Sequence, residues 1–288
     1  MRVKKYTYHD VHFRGTIERV RYKTTNPQGE PREKYANVYL PYGYDQEDKE
    51  KKYNILYLMH GGGGNPDAWL DCCKVKNMLD YCFDAGEAKP MIVVFPSFYK
   101  EQIPRVGEPN ADFENQKVCD FLPEEITQLL PAVEGRYNVY ARDTTDQGLR
   151  AARAHRGFGG FSMGSCTTWY NFLYNLPYFS DFLPLSGDCW AVCPMGGMNA
   201  PEETARLLKE AAEGAGLPFR IFSATGTEDK ALGALTPLME QMKRYPQVFS
   251  FSEDPAQGNL HYQVAPGETH CYEAVNDYLY TYLPYLFA

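Results

Sequence analysis

No stretch of the 288-residue chain approaches the roughly 20 consecutive apolar residues that a membrane-spanning helix needs. Basic residues are in the minority: 29 Lys and Arg face 37 Asp and Glu, a net charge of −8, which argues against a nucleic-acid partner. The eight cysteines lack metal-ligand spacing, since Cys72 and Cys73 are adjacent and Cys189 with Cys193 are too few for a zinc site. Most are expected to be free and buried or inert. No internal repeat and no linker rich in Pro, Gly and Ser divides the chain, so one domain over residues 1–288 is expected. Met1-Arg2-Val3-Lys4-Lys5 is basic, yet polar Tyr-Thr-Tyr-His-Asp follows where an export signal needs its apolar segment. As it stands the chain is expected to be cytoplasmic, or secreted if a leader has been trimmed. Aromatics are abundant at 15%, with 23 Tyr and 16 Phe, a store of rings for sugars or phenols or for ordinary packing.

The order of elements is readable. Residues 11–24 and 35–41 alternate apolar and polar side chains, as antiparallel edge strands do. Residues 53–59 read as a buried strand that ends at His60 and four glycines, followed by a helix over 66–84 and a strand over 91–95. A helix is predicted over 113–134, with Pro123 and Pro131 interrupting or bounding it. Strands follow at 156–161, 179–185, 219–224 and 260–265, and helices at 163–176, 200–213, 231–243 and 271–283. Strands alternating with helices predict a mostly parallel sheet covered on both faces, which binds ligands at the carboxyl ends of its strands.

The candidate chemistry falls at those ends. Gly160-Phe161-Ser162-Met163-Gly164 has the G-x-S-x-G pattern of a nucleophile elbow, a tight strand-to-helix turn that exposes a serine hydroxyl. A hydroxyl is a weak nucleophile and needs a base within reach. His270, after the last strand and before the last helix, stands where the α/β-hydrolase chain order puts that base. A carboxylate must orient the imidazole and stabilise its cation. Asp229, after the preceding strand, is the leading candidate, with Asp188 and Glu228 as rivals. The oxyanion needs N–H donors: one at Met163, after the nucleophile, and one from His60-Gly61-Gly62-Gly63-Gly64, with Gly62 favoured and Gly63 next.

Assembled, these residues resemble the feruloyl esterases of carbohydrate esterase family 1, the esterase-D-like branch of the α/β hydrolases. The likeness covers nearly the whole chain, through Tyr39-Leu40-Pro41-Tyr42-Gly43-Tyr44, Tyr57 to Gly63, His155 to Gly164 and Pro184-Leu185-Ser186-Gly187-Asp188, then Ala224 to Asp229 and Val264 to His270. It implies an α/β-hydrolase fold, a triad on Ser162, Asp229 and His270, and no metal or organic cofactor. The implied substrate is a feruloylated or otherwise acylated cell-wall carbohydrate, chiefly ferulate on arabinoxylan, with no nucleic-acid or membrane partner.

Trp190 and Tyr272, which flank the site in sequence, and Trp69, in the helix after the glycine loop, are candidates for stacking on a phenol or sugar, and Asp188 lies beside them. Cys271 stands where similar sequences tend to carry an aromatic residue, which bears on the shape of the acyl pocket. An acetyl-xylan or other small-acyl esterase is the alternative reading. An acyltransferase and a non-catalytic binding protein of the same fold rank below it. Oligomeric state leaves no mark in the sequence.

Overall fold

The computed structural model describes residues 2–99, 103–104 and 108–287. Strands β1 (Thr16–Thr25) and β2 (Pro31–Leu40) pair antiparallel along their whole length, from Thr16 opposite Leu40 to Thr25 opposite Pro31. β3 (Asn54–Met59), β4 (Met91–Phe95), β5 (Arg156–Phe161), β6 (Asp181–Leu185), β7 (Arg220–Glu228) and β8 (Leu260–Thr269) are mutually parallel. The sheet order is β1-β2-β4-β3-β5-β6-β7-β8, with β2 joining β4 antiparallel. This is the mostly parallel sheet with an antiparallel N-terminal edge that the sequence predicts.

β3 is buried along its whole length, as a strand covered on both faces must be. Its alternation splits the core in two. Ile55, Tyr57 and Met59 face the helices α3 (Ala111–Glu134), α5 (Met163–Asn175), α7 (Pro201–Ala215) and α8 (Leu232–Met242). Leu56 and Leu58 face α1 (Ala68–Cys73), α2 (Val75–Asp84) and α9 (Tyr272–Tyr282) on the other side. Two short helices, α4 (Asp146–Ala151) and α6 (Gly196–Asn199), complete the set and are not anticipated from the sequence. Among the described residues no helix is long and apolar enough to cross a membrane.

Two expectations are corrected. The single helix over 66–84 is two, because Lys74 takes the left-handed conformation (φ 54°) and its N–H caps α1 on the Trp69 carbonyl. Pro123 and Pro131 do not bound a helix: α3 runs through both. Buried Val118, Leu122, Ile126, Leu129 and Val133 form a helical stripe against the core, and that burial outweighs the two lost backbone bonds. β7 and β8 run beyond their expected ends, to Glu228 and Thr269, where the two residues pair. That extension delivers Asp229 and His270 side by side.

Candidate active site

Ser162 is the hinge between β5 and α5, with φ 58° and ψ −115°. The strain persists because its surroundings over-determine it. Its N–H donates to the Leu185 carbonyl at 3.1 Å, and its carbonyl accepts from Cys166 at 3.0 Å. The flanking glycines are steric requirements. A Cβ on Gly160 would stand 2.5 Å from the Gly164 carbonyl, and one on Gly164 would stand 2.5 Å from the carbonyl oxygen of Met59.

The His270 imidazole reaches both neighbours. Its Nε2 lies 2.9 Å from Ser162 Oγ, and its Nδ1 lies 2.7 Å from Asp229 Oδ1. With Nδ1–H donating to the carboxylate, Nε2 is left as the acceptor for the serine hydroxyl. The Asp229 side chain is fully buried, and its Oδ1 also accepts from the Ala231 N–H at 2.8 Å. Burial by itself would raise this carboxyl. The bonds from His270 and Ala231, with the Ser186 hydroxyl facing it, outweigh that and hold its pKa below the usual aspartate value.

The rival carboxylates are placed elsewhere. Asp188 is buried, and its two oxygens accept from Trp190 Nε1 at 2.9 Å and from the Gly197 N–H at 2.8 Å. Burial raises its pKa in spite of those bonds. Glu228 is exposed at the end of β7. Of the three, Asp229 is the one hydrogen-bonded to His270.

Above the serine, the glycine loop leaves the end of β3. A Cβ on Gly62 would lie 2.8 Å from Met163 Sδ, so this glycine packs directly against the residue after the nucleophile. Met163 opens α5, where a helix N–H has no partner within its own helix. Gly63 has φ +74°, a conformation that excludes most other residues. Gly61 is fully engaged: its N–H donates to Tyr272 Oη at 3.1 Å, and its carbonyl accepts from His60 Nδ1 at 2.7 Å and from the Gly64 N–H at 3.2 Å. Gly62 and Met163 therefore stand together over Ser162 as candidate donors to an oxyanion.

The candidate aromatic contacts divide. Trp190 is half-buried, pinned through its indole to Asp188 and through its carbonyl to Gln116 Nε2 at 2.6 Å. Tyr272 is half-buried beside the loop. Trp69 is a correction: it is 1% exposed and its Nε1 donates to the Met59 carbonyl at 3.1 Å, so it offers no face to a ligand. Sequence reasoning gave no role to His60, whose ring burial holds neutral, or to Gln116 and Ser186. Only His60 carried a signal, as the first residue of the glycine motif. The eight cysteines are free, as expected for most of them.

The chain is 42% identical over 258 residues to endo-1,4-beta-xylanase Y of Acetivibrio thermocellus, a match covering 88% of this chain and 22% of that protein. It is 31% identical over 140 residues to an endo-1,4-beta-xylanase/feruloyl esterase of Xylanibacter ruminicola, covering 46% of this chain and 16% of that protein. The chain thus spans less than a quarter of the length of the curated relatives it matches. In three dimensions it is similar to the feruloyl esterase module of Clostridium thermocellum, solved as a serine-to-alanine mutant with sinapinate. That match has 38% identity and a TM-score of 0.84 and covers 100% of this chain and 94% of the other. A ferulic acid esterase of Anaeromyces mucronatus, at 20% identity and a TM-score of 0.67 over 99% of this chain and 95% of the other, shares the fold. The resemblance drawn from the sequence is therefore borne out. With the family model matching residues 30–287, the chain belongs to the Esterase family and has the α/β-hydrolase fold.

Proposed function

We propose that this chain hydrolyses feruloyl and related hydroxycinnamoyl esters of cell-wall carbohydrate, such as arabinoxylan, through an acyl-enzyme on Ser162. The observation that carries the chemistry is the unbroken hydrogen-bonded series from Asp229 through His270 to Ser162, with its closing contact at 2.9 Å. His270 Nε2 takes the Ser162 proton as Oγ attacks the ester carbonyl. The Gly62 and Met163 N–H groups, with Gly63 beside them, receive the charge on the carbonyl oxygen. Asp229 stabilises the imidazolium, and His270 passes its proton to the departing sugar oxygen. Water then attacks the acyl-enzyme, giving its proton to His270, which returns it to Ser162 as the acid leaves.

Likeness and the site's surroundings both point to a hydroxycinnamoyl acyl group. A neighbour 38% identical over the whole chain carries sinapinate, a hydroxycinnamate. Trp190, half-buried and held by Asp188 on the loop after β6, supplies an aromatic wall for such a ring. The test is hydrolysis of methyl ferulate against 4-nitrophenyl acetate by wild type and Ser162→Ala. Preference for ferulate that vanishes in the variant supports the proposal. Preference for acetate moves the substrate to small-acyl carbohydrate esters, and full activity of Ser162→Ala overturns the mechanism.

A further inference from the structure

Tyr272 stands two residues after His270, at the first position of α9, yet its hydroxyl reaches back to the opposite wall of the site. It accepts the Gly61 N–H at 3.1 Å, across 211 residues of chain. Its ring is wedged edge-to-face between Phe161, with centroids 4.9 Å apart, and Trp69, at 5.4 Å. Both supports are anchored. Phe161 is the last residue of β5, immediately before Ser162, and Trp69 is bonded to the carbonyl at the end of β3.

Peptide planarity turns these contacts into a statement about direction. The Gly61 carbonyl is held by His60 Nδ1 at 2.7 Å, and in a trans peptide the Gly62 N–H points the opposite way. The Gly61 N–H, on the peptide before, is held by Tyr272. Two successive peptide planes of the glycine loop are thus fixed from two sides, by an imidazole and by a phenol. Glycine has the widest conformational freedom of any residue, so an unsupported Gly61-Gly62 pair would sample many directions. The phenol oxygen is already engaged by the loop, and the ring packs between Phe161 and Trp69.

We propose that Tyr272 is a positioning residue: its hydroxyl aims the Gly62 N–H at the oxyanion and ties the loop bearing His270 to the loop that receives the charge. This rests on the ester-hydrolase reading and replaces the expectation that Tyr272 contacts substrate. A donor misdirected by a small angle stabilises the tetrahedral state poorly while leaving substrate binding intact.

The test is Tyr272→Phe, which keeps the ring and removes the hydroxyl, assayed on methyl ferulate and on 4-nitrophenyl acetate beside Ser162→Ala. The expected result is a kcat loss of about 10- to 100-fold on both esters, with KM within about twofold, because every acyl group forms the same oxyanion. Inhibition by phenylboronic acid, which mimics the tetrahedral state, weakens by a similar factor. Ferulate binds equally to Ser162→Ala and to Ser162→Ala/Tyr272→Phe, and the thermal midpoint of Tyr272→Phe stays close to wild type. A kcat within twofold of wild type, a kcat loss confined to one ester, or a KM rise confined to ferulate overturns the proposal. Full activity of Ser162→Ala would instead remove the reading beneath it.

Discussion

The indole Nε1 of Trp190 donates to Asp188 Oδ1 at 2.9 Å, and the other oxygen of that carboxylate accepts from the Gly197 N–H. One buried group thus fixes the Trp190 indole and braces the loop carrying it. Asp188→Ala leaves two donors without acceptors, and we expect a stability loss of about 1–3 kcal/mol. We also expect KM for methyl ferulate to rise about tenfold, as in Trp190→Ala, with kcat changed only a few-fold. Asp229→Asn should behave oppositely, with kcat falling by about three to four orders of magnitude and KM little altered. Steady-state kinetics of the three variants decides the matter, and a larger kcat loss in Asp188→Ala than in Asp229→Asn would reverse the acid assignment.

Gly62 and Gly164 should respond differently to alanine. At Gly62 the new methyl meets the thioether of Met163, which can swing aside, so Gly62→Ala should fold with a thermal midpoint near wild type and lose about tenfold or more in kcat. At Gly164 the obstruction is the backbone of Met59 and His60, which cannot move without breaking β3 from α5. Gly164→Ala should be destabilised by about 3 kcal/mol or more, measured by chemical denaturation.

At the other end of β5, Arg156 and Glu134 form a bidentate pair at 2.6 Å with both side chains 1% exposed. Arg156 also donates to the carbonyls of Leu149 and Tyr178, and Tyr57 donates to Glu134. Removing one partner strands a buried charge. Arg156→Met should cost about 3–5 kcal/mol, whereas Arg156→Met with Glu134→Leu should recover much of it. Equal losses in the single and double variants would show that the carboxylate was not the burden.

His60 makes a pH prediction. Burial pushes its imidazole down to about 4, with the Gly61 carbonyl opposing the fall and the Lys34 ammonium adding to it. In the unfolded chain it titrates at its ordinary value near 6.5, so between about 4 and 6.5 the unfolded state binds more protons. This stability is complete above about 6.5 and is lost as pH falls toward 4, by about 3 kcal/mol. Burial lowers His155 and His261 as well, with the same sign. Denaturation curves from pH 7.5 to 4.5 should therefore show a shallower acid decline in His60→Gln than in wild type (~3 units of pH scanned). Parallel slopes would place the proton uptake elsewhere.

Ser162, Asp229 and His270 are legible in the sequence because each stands where a strand gives way to a turn, and glycines flag those turns. The sheet is legible because a covered strand such as β3 needs an unbroken apolar run. The misreadings have physical causes. Nothing at Lys74 announces a left-handed cap, since the usual signal is a glycine. Proline marks a helix boundary only where the helix has little else to hold it, and α3 has a full buried stripe. Trp69 reads the same from the chain whether it faces a cleft or the core, and only the depth of α1 against β3 decides. The Tyr272–Gly61 bond joins positions 211 residues apart and leaves no local pattern.

β8 is the last strand of the sheet, and among the described residues its edge away from β7 carries only an isolated bridge, from Leu260 at its start to Phe251. The proposed base therefore hangs from a margin, while the nucleophile sits on a strand flanked on both sides. Beside that margin runs the N-terminal segment, where the N–H groups of Lys4 and Tyr6 donate to Thr281 and Asp277 of α9 and the Lys5 ammonium pairs with Glu268 of β8. Those few residues act as a selvedge, the bound border that keeps a cloth from unravelling. Heat should fray the enzyme from this side, so that activity disappears before the sheet melts, and trimming residues 2–6 should widen the gap between the two temperatures.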